Sequence, residues 1–374
     1  MLFNTWTFIL GFLPVTFFVY FGLNRARQPL AAKAWLVAAS LFFYGYWNVF
    51  YLPLVLGSIL VNFTIGRRFA SGQLETGRSI GKKAVLIAGI TGNLGLLGYF
   101  KYADFFVENV NFAVGANYPL PDIVLPLAIS FFTFQQIAYL VDSYRGETAE
   151  YNFLNYALFV TFFPQLIAGP IVHHGEMMPQ FASRWTLAVR YRNILRALFI
   201  FGIGLFKKVA LADTFAIWAT AGFDGGQELD FFAGWATSLS YTFQLYFDFS
   251  GYCDMATGAA LLFNIRLPIN FNSPYKALDI QDFWRRWHIT LSRFLRDYLY
   301  IPLGGGRRSS ARVYFNVMAT FVLGGLWHGA SWIFVVWGAL HGVALVAHRV
   351  WHAAGFQMPR LPAWILTFGF VNFA

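Results

Sequence analysis

Apolar runs of 14 to 20 residues, joined by short polar loops, recur along most of this sequence, for example at residues 5–23, 52–65, 84–99, 153–168 and 332–351. A helix needs about 20 apolar residues to cross the hydrocarbon core of a bilayer, and the chain has room for roughly ten such spans. The pattern therefore predicts an all-α, polytopic integral membrane protein. We expect residues 1–374 to form a single transmembrane domain.

The composition excludes most soluble classes of protein. Hydrophobic residues make up 58% of the chain and charged residues only 12%, whereas soluble domains carry about 25% charged residues. A soluble globule could not cover so much apolar surface, so a cytosolic enzyme, a disordered protein and a nucleic-acid-binding domain are excluded. The single cysteine, Cys253, excludes a disulfide framework and an iron–sulfur cluster.

The charged loops predict an orientation in the membrane. Residues 24–33 carry three bases, and residues 66–83 carry five bases and one acid, whereas residues 101–122 carry one base and three acids. Basic loops stay in the cytoplasm, which places residues 101–122 and the N-terminus outside. The net charge of +10 is then explained by loops that flank spans and requires no nucleic acid.

Two segments do not fit a simple span. Lys207 and Lys208 divide residues 194–221 into two apolar stretches of 13 residues, which predicts either two tilted half-helices or an interfacial segment. Residues 231–263 are too long for one span, and we expect a break around Ser250 and the glycine that follows it.

Ionisable residues inside apolar runs are the first functional candidates, because they are costly in a membrane. Asp248 and Asp254 flank Tyr252 in an otherwise uncharged 33-residue stretch. Their spacing of six places them on different helical faces. Two interpretations remain open: buried carboxylates that stabilise a broken helix through arginine or backbone N–H contacts, or a polar lining of a substrate chamber.

Residues 282–300 have the pattern of a basic helix with aromatic residues on one face. The spacing pairs Asp282 with Arg286 and places Trp287 and His288 on the apolar side. An interfacial helix explains the arginines and tryptophans, but it does not explain a histidine on the apolar face. His288 is therefore a second candidate site residue.

His328 is a third candidate, because it lies between two apolar runs in the sequence GGLWHGASW at residues 324–332. The small residues around it allow close backbone approach. A neutral imidazole there can act as a base near neutral pH. The alternative is a histidine that is satisfied at a helix end.

The run PLGGGRR at residues 302–308 is a glycine turn followed by two arginines, Arg307 and Arg308. Such a turn could bind the phosphates of a nucleotide-like donor, although it lacks the Gly-Lys-Ser/Thr of a P-loop. A plain cytoplasmic turn is the alternative. We predict no metal site, and His173 and His174, which follow a Gly-Pro step, are assigned no metal.

Several of these motifs together resemble the membrane-bound O-acyltransferase (MBOAT) family. They are FNSPYKALDIQDFWRRWHITLSRFLRDYLYIPLGGGRR at residues 271–308, GGLWHGASW at 324–332 and WGALHG at 337–342. The sequences PQLIAGPI at 164–171 and AISFFTFQQIAYLVDSYRG at 128–146 are similar to the bacterial alginate O-acetylation branch of that family.

The resemblance implies a ring of tilted transmembrane helices, with interfacial and re-entrant helices, in the bacterial inner membrane. It implies catalytic roles for His328, as the base or as a covalent acetyl carrier, and for His288, which would position the thioester carbonyl or stabilise its oxyanion. We expect six further residues to bind substrate: Trp287, Trp327, Asp248, Tyr252, Asp254 and Arg307.

The resemblance also implies the substrates. The donor would be an acyl thioester, acetyl-CoA or an acyl carrier protein, with no bound cofactor or metal. The acetyl group would pass outward, through periplasmic acetyltransferase partners, to an exopolysaccharide such as alginate. Members of this branch continue beyond the position that matches residue 374, so we expect the last helices to be missing.

Two other functions remain open. One is D-alanyl transfer from a carrier protein to teichoic acid. The other is a transporter or flippase, in which broken helices would carry buried acids such as Asp248 and Asp254.

Overall fold

The computed structural model describes residues 1–70, 79–150, 152–226 and 228–374. Throughout these residues the regular structure is helical, which confirms the predicted all-α class. Part of the predicted cytoplasmic loop, residues 71–78, lies outside the described residues. The α-helices are α1 Leu13–Arg25, α2 Pro29–Gly45, α3 Leu52–Ala70, α4 Ser79–Leu97, α5 Ala103–Val114, α6 Ile129–Arg145, α7 Phe153–Thr161, α8 Phe163–Leu166, α9 His174–Ala182, α10 Tyr191–Phe206, α11 Asp213–Asp224, α12 Phe231–Leu262, α13 Ile280–Arg286, α14 Ile289–Leu295, α15 Ser310–His328, α16 Trp332–Ala353 and α17 Arg360–Phe373.

Short π-helical and 3₁₀ segments extend or join several of these helices. π-Helical segments are often found at functional or strained positions. They are Thr7–Phe12, Gly98–Tyr102, Lys207–Ala212 and Arg296–Tyr300, and the 3₁₀ segments are Val49–Tyr51, Arg184–Thr186 and Pro274–Lys276.

Four helical runs in the described part of the chain are long and apolar enough to cross a membrane. They coincide with four of the apolar runs found in the sequence. They are Thr7–Arg25, Val49–Ala70, Gly81–Val114 and Trp332–Ala353.

The helices pack into two compact units, and the single domain expected from the sequence stays a prediction. Unit 1 contains Met1–Lys101, Asp122–Phe215 and Phe243–Leu267, and unit 2 contains Tyr102–Pro121, Ala216–Thr242 and Pro268–Ala374.

A cluster of phenylalanines forms the core of unit 1. Residues 153–168 contribute to it and do not form one span. The ring of Phe163 lies 5.7 Å from that of Phe43 and 5.9 Å from that of Phe263, and all three are fully buried. The helix stops at Phe162, because Pro164 cannot continue the α7 hydrogen-bond ladder. The predicted span is therefore two short buried helices, α7 and α8.

The helix α12 is continuous over 32 residues, so the expected break around Ser250 is wrong. Gly251 instead allows α10 and α12 to approach closely. A Cβ atom at Gly251 would lie 2.7 Å from the carbonyl oxygen of Gly204, and one at Gly258 would lie 2.7 Å from that of Ala197. Small residues at such contacts let helix backbones touch.

The two lysines of the same region do not divide it into half-helices. The segment Lys207–Ala212 is π-helical and joins α10 to α11 without interruption. Lys207 Nζ lies 2.6 Å from a carboxylate oxygen of Asp254, and Lys208 Nζ lies 2.6 Å from one of Asp248. These ion pairs compensate the charges that an apolar helix would otherwise expose.

The predicted outer loop at residues 101–122 is partly helical. It contains α5, which continues the helical run of α4 and ends where Gly115 adopts a left-handed conformation with φ of 64°. Glycine at this position is a common helix stop, because it has no Cβ to clash. The side of the membrane on which the segment lies stays a prediction.

In unit 2, α15 and α16 form a close helical hairpin. A Cβ atom at Gly325 would lie 3.0 Å from the Cα of Gly338. The glycines therefore permit contact between the two backbones. The turn between these helices carries His328.

Candidate active site

The predicted helix over residues 282–300 is interrupted at His288. Helix α13 ends at Arg286 and α14 begins at Ile289, and between them His288 adopts φ of 42° and ψ of 54°. This left-handed conformation is strained for a residue with a side chain. The interruption buries His288, which is only 1% exposed, so the interpretation as one interfacial helix is wrong. The predicted ion pair between Arg286 and Asp282 is present at 2.9 Å.

Asn270 stabilises the break and fixes the orientation of His288. Its Oδ1 accepts hydrogen bonds from the backbone N–H of Thr290 at 3.2 Å and from the Thr290 hydroxyl at 2.9 Å. The same oxygen lies 3.1 Å from Nδ1 of His288. An amide oxygen only accepts, so His288 must donate from Nδ1. In the neutral ring, Nε2 is then a hydrogen-bond acceptor.

His328 ends α15 in a cluster of aromatic rings. Its ring centre lies 5.0 Å from that of Trp327 and 5.1 Å from that of Trp337. The ring centre of His288 lies 6.5 Å away, with the two imidazole planes at 62°. The structure therefore brings together the two histidines that the sequence predicts, within unit 2.

Of the two predicted tryptophans, Trp327 lies beside the histidines and Trp287 packs on Phe283. Trp327 is 7% exposed and its ring lies 6.4 Å from that of His288. Trp287 is 8% exposed and stacks on Phe283 at 5.8 Å. Trp327 therefore makes the surroundings of the two histidines apolar.

Two residues that sequence reasoning missed fix the turn that carries His328. The hydroxyl of Tyr102 donates to the carbonyl oxygen of Leu326 at 2.8 Å. That carbonyl belongs to the last turn of α15, whose carbonyl groups have no intrahelical partner. On the other side of the turn, the indole N–H of Trp332 donates to Oδ1 of Asn109 at 2.8 Å.

Comparison with known proteins identifies the family. Residues 143–373 match MBOAT, the membrane-bound O-acyltransferase family. Over its whole length the chain is 54% identical to the "Peptidoglycan O-acetyltransferase" of Helicobacter pylori and covers 76% of it. The chain belongs to the membrane-bound O-acyltransferase family.

Less similar relatives have other functions in their names. Over 98% of its length the chain is 40% identical to a "Probable alginate O-acetylase AlgI" of Pseudomonas aeruginosa, of which it covers 70%. Over 60% of its length it is 27% identical to the "Teichoic acid D-alanyltransferase" of Streptococcus thermophilus, of which it covers 57%. This MBOAT protein is thus a multi-pass membrane enzyme, and its class is O-acetyltransferase, as predicted.

A third histidine, His341, also belongs to the cluster in this MBOAT protein, although sequence reasoning did not select it. It is 2% exposed, and its Nδ1 lies 3.3 Å from the indole nitrogen of Trp284. Because an indole N–H only donates, Nδ1 must accept, and the neutral ring carries its proton on Nε2. The ring of Trp337 lies 4.7 Å from that of His341 and 5.1 Å from that of His328. The sequence signal is the motif WGALHG, which places Trp337 one turn before His341.

The predicted substrate residues of α12 lie in unit 1 and have local partners there. Asp248 and Asp254 form the lysine ion pairs described above. Tyr252 stacks on Phe3 with ring centres 4.8 Å apart. These contacts agree with carboxylates that stabilise helix packing, through lysine and not through the arginine expected. A role in lining the substrate chamber stays a prediction.

The glycine turn before Arg307 is present. Gly304 and Gly305 have φ of 117° and 56°, conformations that favour glycine. Asn316 donates to the Gly305 carbonyl oxygen at 3.2 Å, which fixes the turn. Arg307 is exposed, and phosphate binding there stays a prediction.

The loop histidines His173 and His174 each lie beside a carboxylate. Nε2 of His174 lies 3.5 Å from Glu150, and Nδ1 of His173 lies 3.9 Å from Asp142. Burial by itself raises the pKa of Glu150, but the adjacent His174 imidazole and a hydrogen bond from the Asn152 N–H outweigh it, so the net pKa is lowered. Within the described ranges, no group of three or more histidine, cysteine or acidic residues could bind a metal.

Proposed function

We propose that this enzyme transfers an acetyl group from a cytoplasmic thioester donor to a hydroxyl of peptidoglycan, directly or through periplasmic partner proteins. The observation that carries the proposal is the pairing of His288 and His328, with ring centres 6.5 Å apart among tryptophans, in a member of an O-acyltransferase family. Peptidoglycan is favoured over alginate because the identity to the Helicobacter pylori relative is 54%, against 40% for the alginate relative.

His328 is the general base in this proposal. It accepts the proton of the acceptor hydroxyl while the hydroxyl oxygen attacks the thioester carbonyl carbon. The tetrahedral intermediate then collapses, the carbon–sulfur bond breaks, and the thiolate takes the proton from His328. General base catalysis of this kind typically contributes about 10²–10⁴-fold in rate. An acetyl-histidine intermediate on His328 is the alternative role.

His288 orients the reacting groups. Because its Nδ1 donates to Asn270, the neutral ring offers Nε2 as an acceptor for an N–H or O–H group of a bound substrate other than the attacking hydroxyl, whose proton goes to His328. Stabilisation of an oxyanion needs an N–H at Nε2, which His288 has only when the ring is protonated. The neutral ring therefore suits positioning better than oxyanion stabilisation.

The remaining predicted residues take supporting roles in the proposal. Trp287 and Trp327 exclude water from the histidines, which limits hydrolysis of the thioester. Arg307, which is exposed beside the glycine turn, contacts donor phosphates. Asp248, Tyr252 and Asp254 can contact a substrate only when their ion pairs with lysine and the stacking of Tyr252 on Phe3 are broken.

We place the enzyme in the bacterial inner membrane with its N-terminus outside. The support is the five-to-one excess of bases over acids in residues 66–83, against three acids and one base in residues 101–122. The donor then reaches the enzyme from the cytoplasm and the acceptor lies on the other side.

A second candidate is acetylation of a secreted polysaccharide such as alginate. The support for it is the 40% identity to the Pseudomonas aeruginosa relative over 98% of the chain. The two candidates differ in the polymer that gains the ester and not in the chemistry of the histidines.

The test is to measure acetate and D-alanine released by mild base from purified peptidoglycan and from secreted polysaccharide, in cells with and without the gene. We expect acetate on peptidoglycan that disappears with the gene. Loss of acetate from the secreted polymer alone would favour the second candidate. Loss of esterified D-alanine alone would contradict both.

A further inference from the structure

An open polar cleft of about 570 Å³ lies in unit 1, whereas the candidate active site belongs to unit 2. It forms where the end of α9, the start of α10 and the segment after α12 meet. Its lining residues are Gln180, Ser183, Trp185, Thr186, Arg190, Asn193, Asn264 and Arg266.

The amide side chains of the cleft already form hydrogen bonds with other groups of the protein. Gln180 donates to the backbone carbonyl of Arg266 at 3.1 Å and accepts from its backbone N–H at 2.8 Å. Asn193 donates to Oδ1 of Asn264 at 2.8 Å, and Asn264 has a left-handed backbone with φ of 62°. These bonds fix the walls of the cleft and leave its two guanidinium groups as the groups available to a ligand.

Among the described residues, the two arginines of the cleft have no acidic partner. The guanidinium of Arg190 lies over the ring of Trp185, 4.3 Å from its centre, and this cation–π contact orients it. Trp185 itself is 70% exposed. Across residues 1–70, 79–150, 152–226 and 228–374, no carboxylate lies within ion-pair distance of Arg190 or Arg266.

Two uncompensated guanidinium groups beside an exposed indole fit a phosphate group. Arginine binds phosphate through paired N–H donors, and basic pockets at the membrane surface bind anionic headgroups. Trp185 and the neighbouring Tyr191 are both largely exposed, as is typical of aromatic residues at the membrane–water interface.

The hydroxyl of Tyr20 donates to the carbonyl oxygen of the cleft residue Thr186 at 3.5 Å, which places the cleft near the basic loop at residues 24–33 that we predict to be cytoplasmic. We propose that this cleft is a phosphate-binding site at the cytoplasmic surface of the membrane. Its ligand is a phosphate carried either by an anionic phospholipid or by a nucleotide-bearing thioester such as coenzyme A. The site does not depend on the proposed acceptor or on the histidines, so the two proposals can fail separately.

The test uses the full-length protein in detergent and in lipid nanodiscs. One arm measures binding of coenzyme A by equilibrium dialysis. The other arm measures retention of phosphatidylglycerol against phosphatidylcholine by native mass spectrometry. The cleft variant combines Arg190→Gln with Arg266→Gln. The control combines Arg184→Gln with Arg192→Gln, which removes the same charge from the same region but not from the cleft lining.

We expect the cleft variant to weaken binding of one probe by about tenfold or more, because charge-assisted bonds to both arginines are lost. The control should change it by less than about threefold, since exposed single charges contribute little. Loss of coenzyme A binding assigns the phosphate to the donor, and loss of phosphatidylglycerol assigns it to lipid. Equal losses in the two variants, or no saturable binding of either probe, would overturn the proposal.

A milder variant guards against misfolding of the double substitution. Trp185→Leu removes the cation–π contact but no charge, and should weaken binding about two- to fivefold. Unchanged binding by a folded Trp185→Leu variant, together with unchanged binding by the double variant, would also count against the site.

Discussion

The hydroxyl of Tyr102 donates a hydrogen bond to the carbonyl oxygen of Leu326, 2.8 Å away and two residues before His328. The two residues are 224 positions apart in the sequence. This bond satisfies a carbonyl that the end of α15 leaves without an intrahelical partner. It therefore fixes the backbone from which the His328 side chain extends.

We expect Tyr102→Phe to lower kcat by about three- to tenfold, because one neutral hydrogen bond contributes about 1 kcal/mol. The KM for the donor should stay unchanged, since the substitution leaves the walls of the histidine cluster intact. Steady-state acetyl transfer by purified protein measures both constants. Tyr99→Phe is the control, because Tyr99 is 60% exposed in the same helical run. Equal effects of the two substitutions would contradict the positioning role of Tyr102.

His341 should contribute to stability through Trp284. His341→Leu leaves the buried indole N–H of Trp284 without its acceptor, which costs about 1–3 kcal/mol, so the melting temperature in detergent should fall. His341→Gln, which keeps an acceptor, should recover part of the loss. His352→Leu, at an exposed position of the same helix, is the control. No difference between His341→Leu and His352→Leu would show that the Trp284 bond contributes nothing.

The close approach of α10 and α12 predicts strong sensitivity at Gly251. A methyl group there would lie 2.7 Å from the carbonyl oxygen of Gly204, so Gly251→Ala should force the helices apart and reduce the yield of folded protein. Gly234→Ala, on the same helix but with open space around it, should be tolerated. Fluorescence-detected size-exclusion chromatography of both variants measures the outcome, and a normal profile for Gly251→Ala would refute the contact.

Glu150 predicts a pH-dependent contribution to stability. Its pKa is lowered in the folded protein by the adjacent His174 imidazole and by a hydrogen bond from the Asn152 N–H, against the effect of burial. A pKa that is lower in the folded than in the unfolded protein stabilises the fold at any pH above the pKa of the unfolded state. This contribution is lost as the pH falls through the pKa of the folded state. Glu150→Gln should therefore lower the melting temperature at pH 7, and by progressively less as the pH falls below the ordinary pKa of glutamate. A constant difference across that range would contradict the linkage.

Local patterns in the sequence predict the spans and the two main histidines, because apolar runs and the motifs around His288 and His328 are local features. The other features of the fold and of the site depend on contacts between residues that are distant in the sequence. The break at His288 depends on Asn270, 18 residues earlier, and the tautomer of His341 depends on Trp284, 57 residues away. The Ser250–Gly251 pair is compatible with a helix break and with a close contact between helices. Only the position of Gly204 in the fold distinguishes these two possibilities.

The most direct test of the catalytic proposal is esterified acetate on the extracellular polymer, normalised to membrane-inserted protein, for His328→Ala beside the wild type. The glycines and the alanine near His328 should let the variant insert and fold. We expect transfer to fall to background with His328→Ala, while His288→Ala retains a small residual rate and His352→Ala, at an exposed position, matches the wild type. Full acetylation by His328→Ala at normal expression would contradict the assignment of His328 as the base.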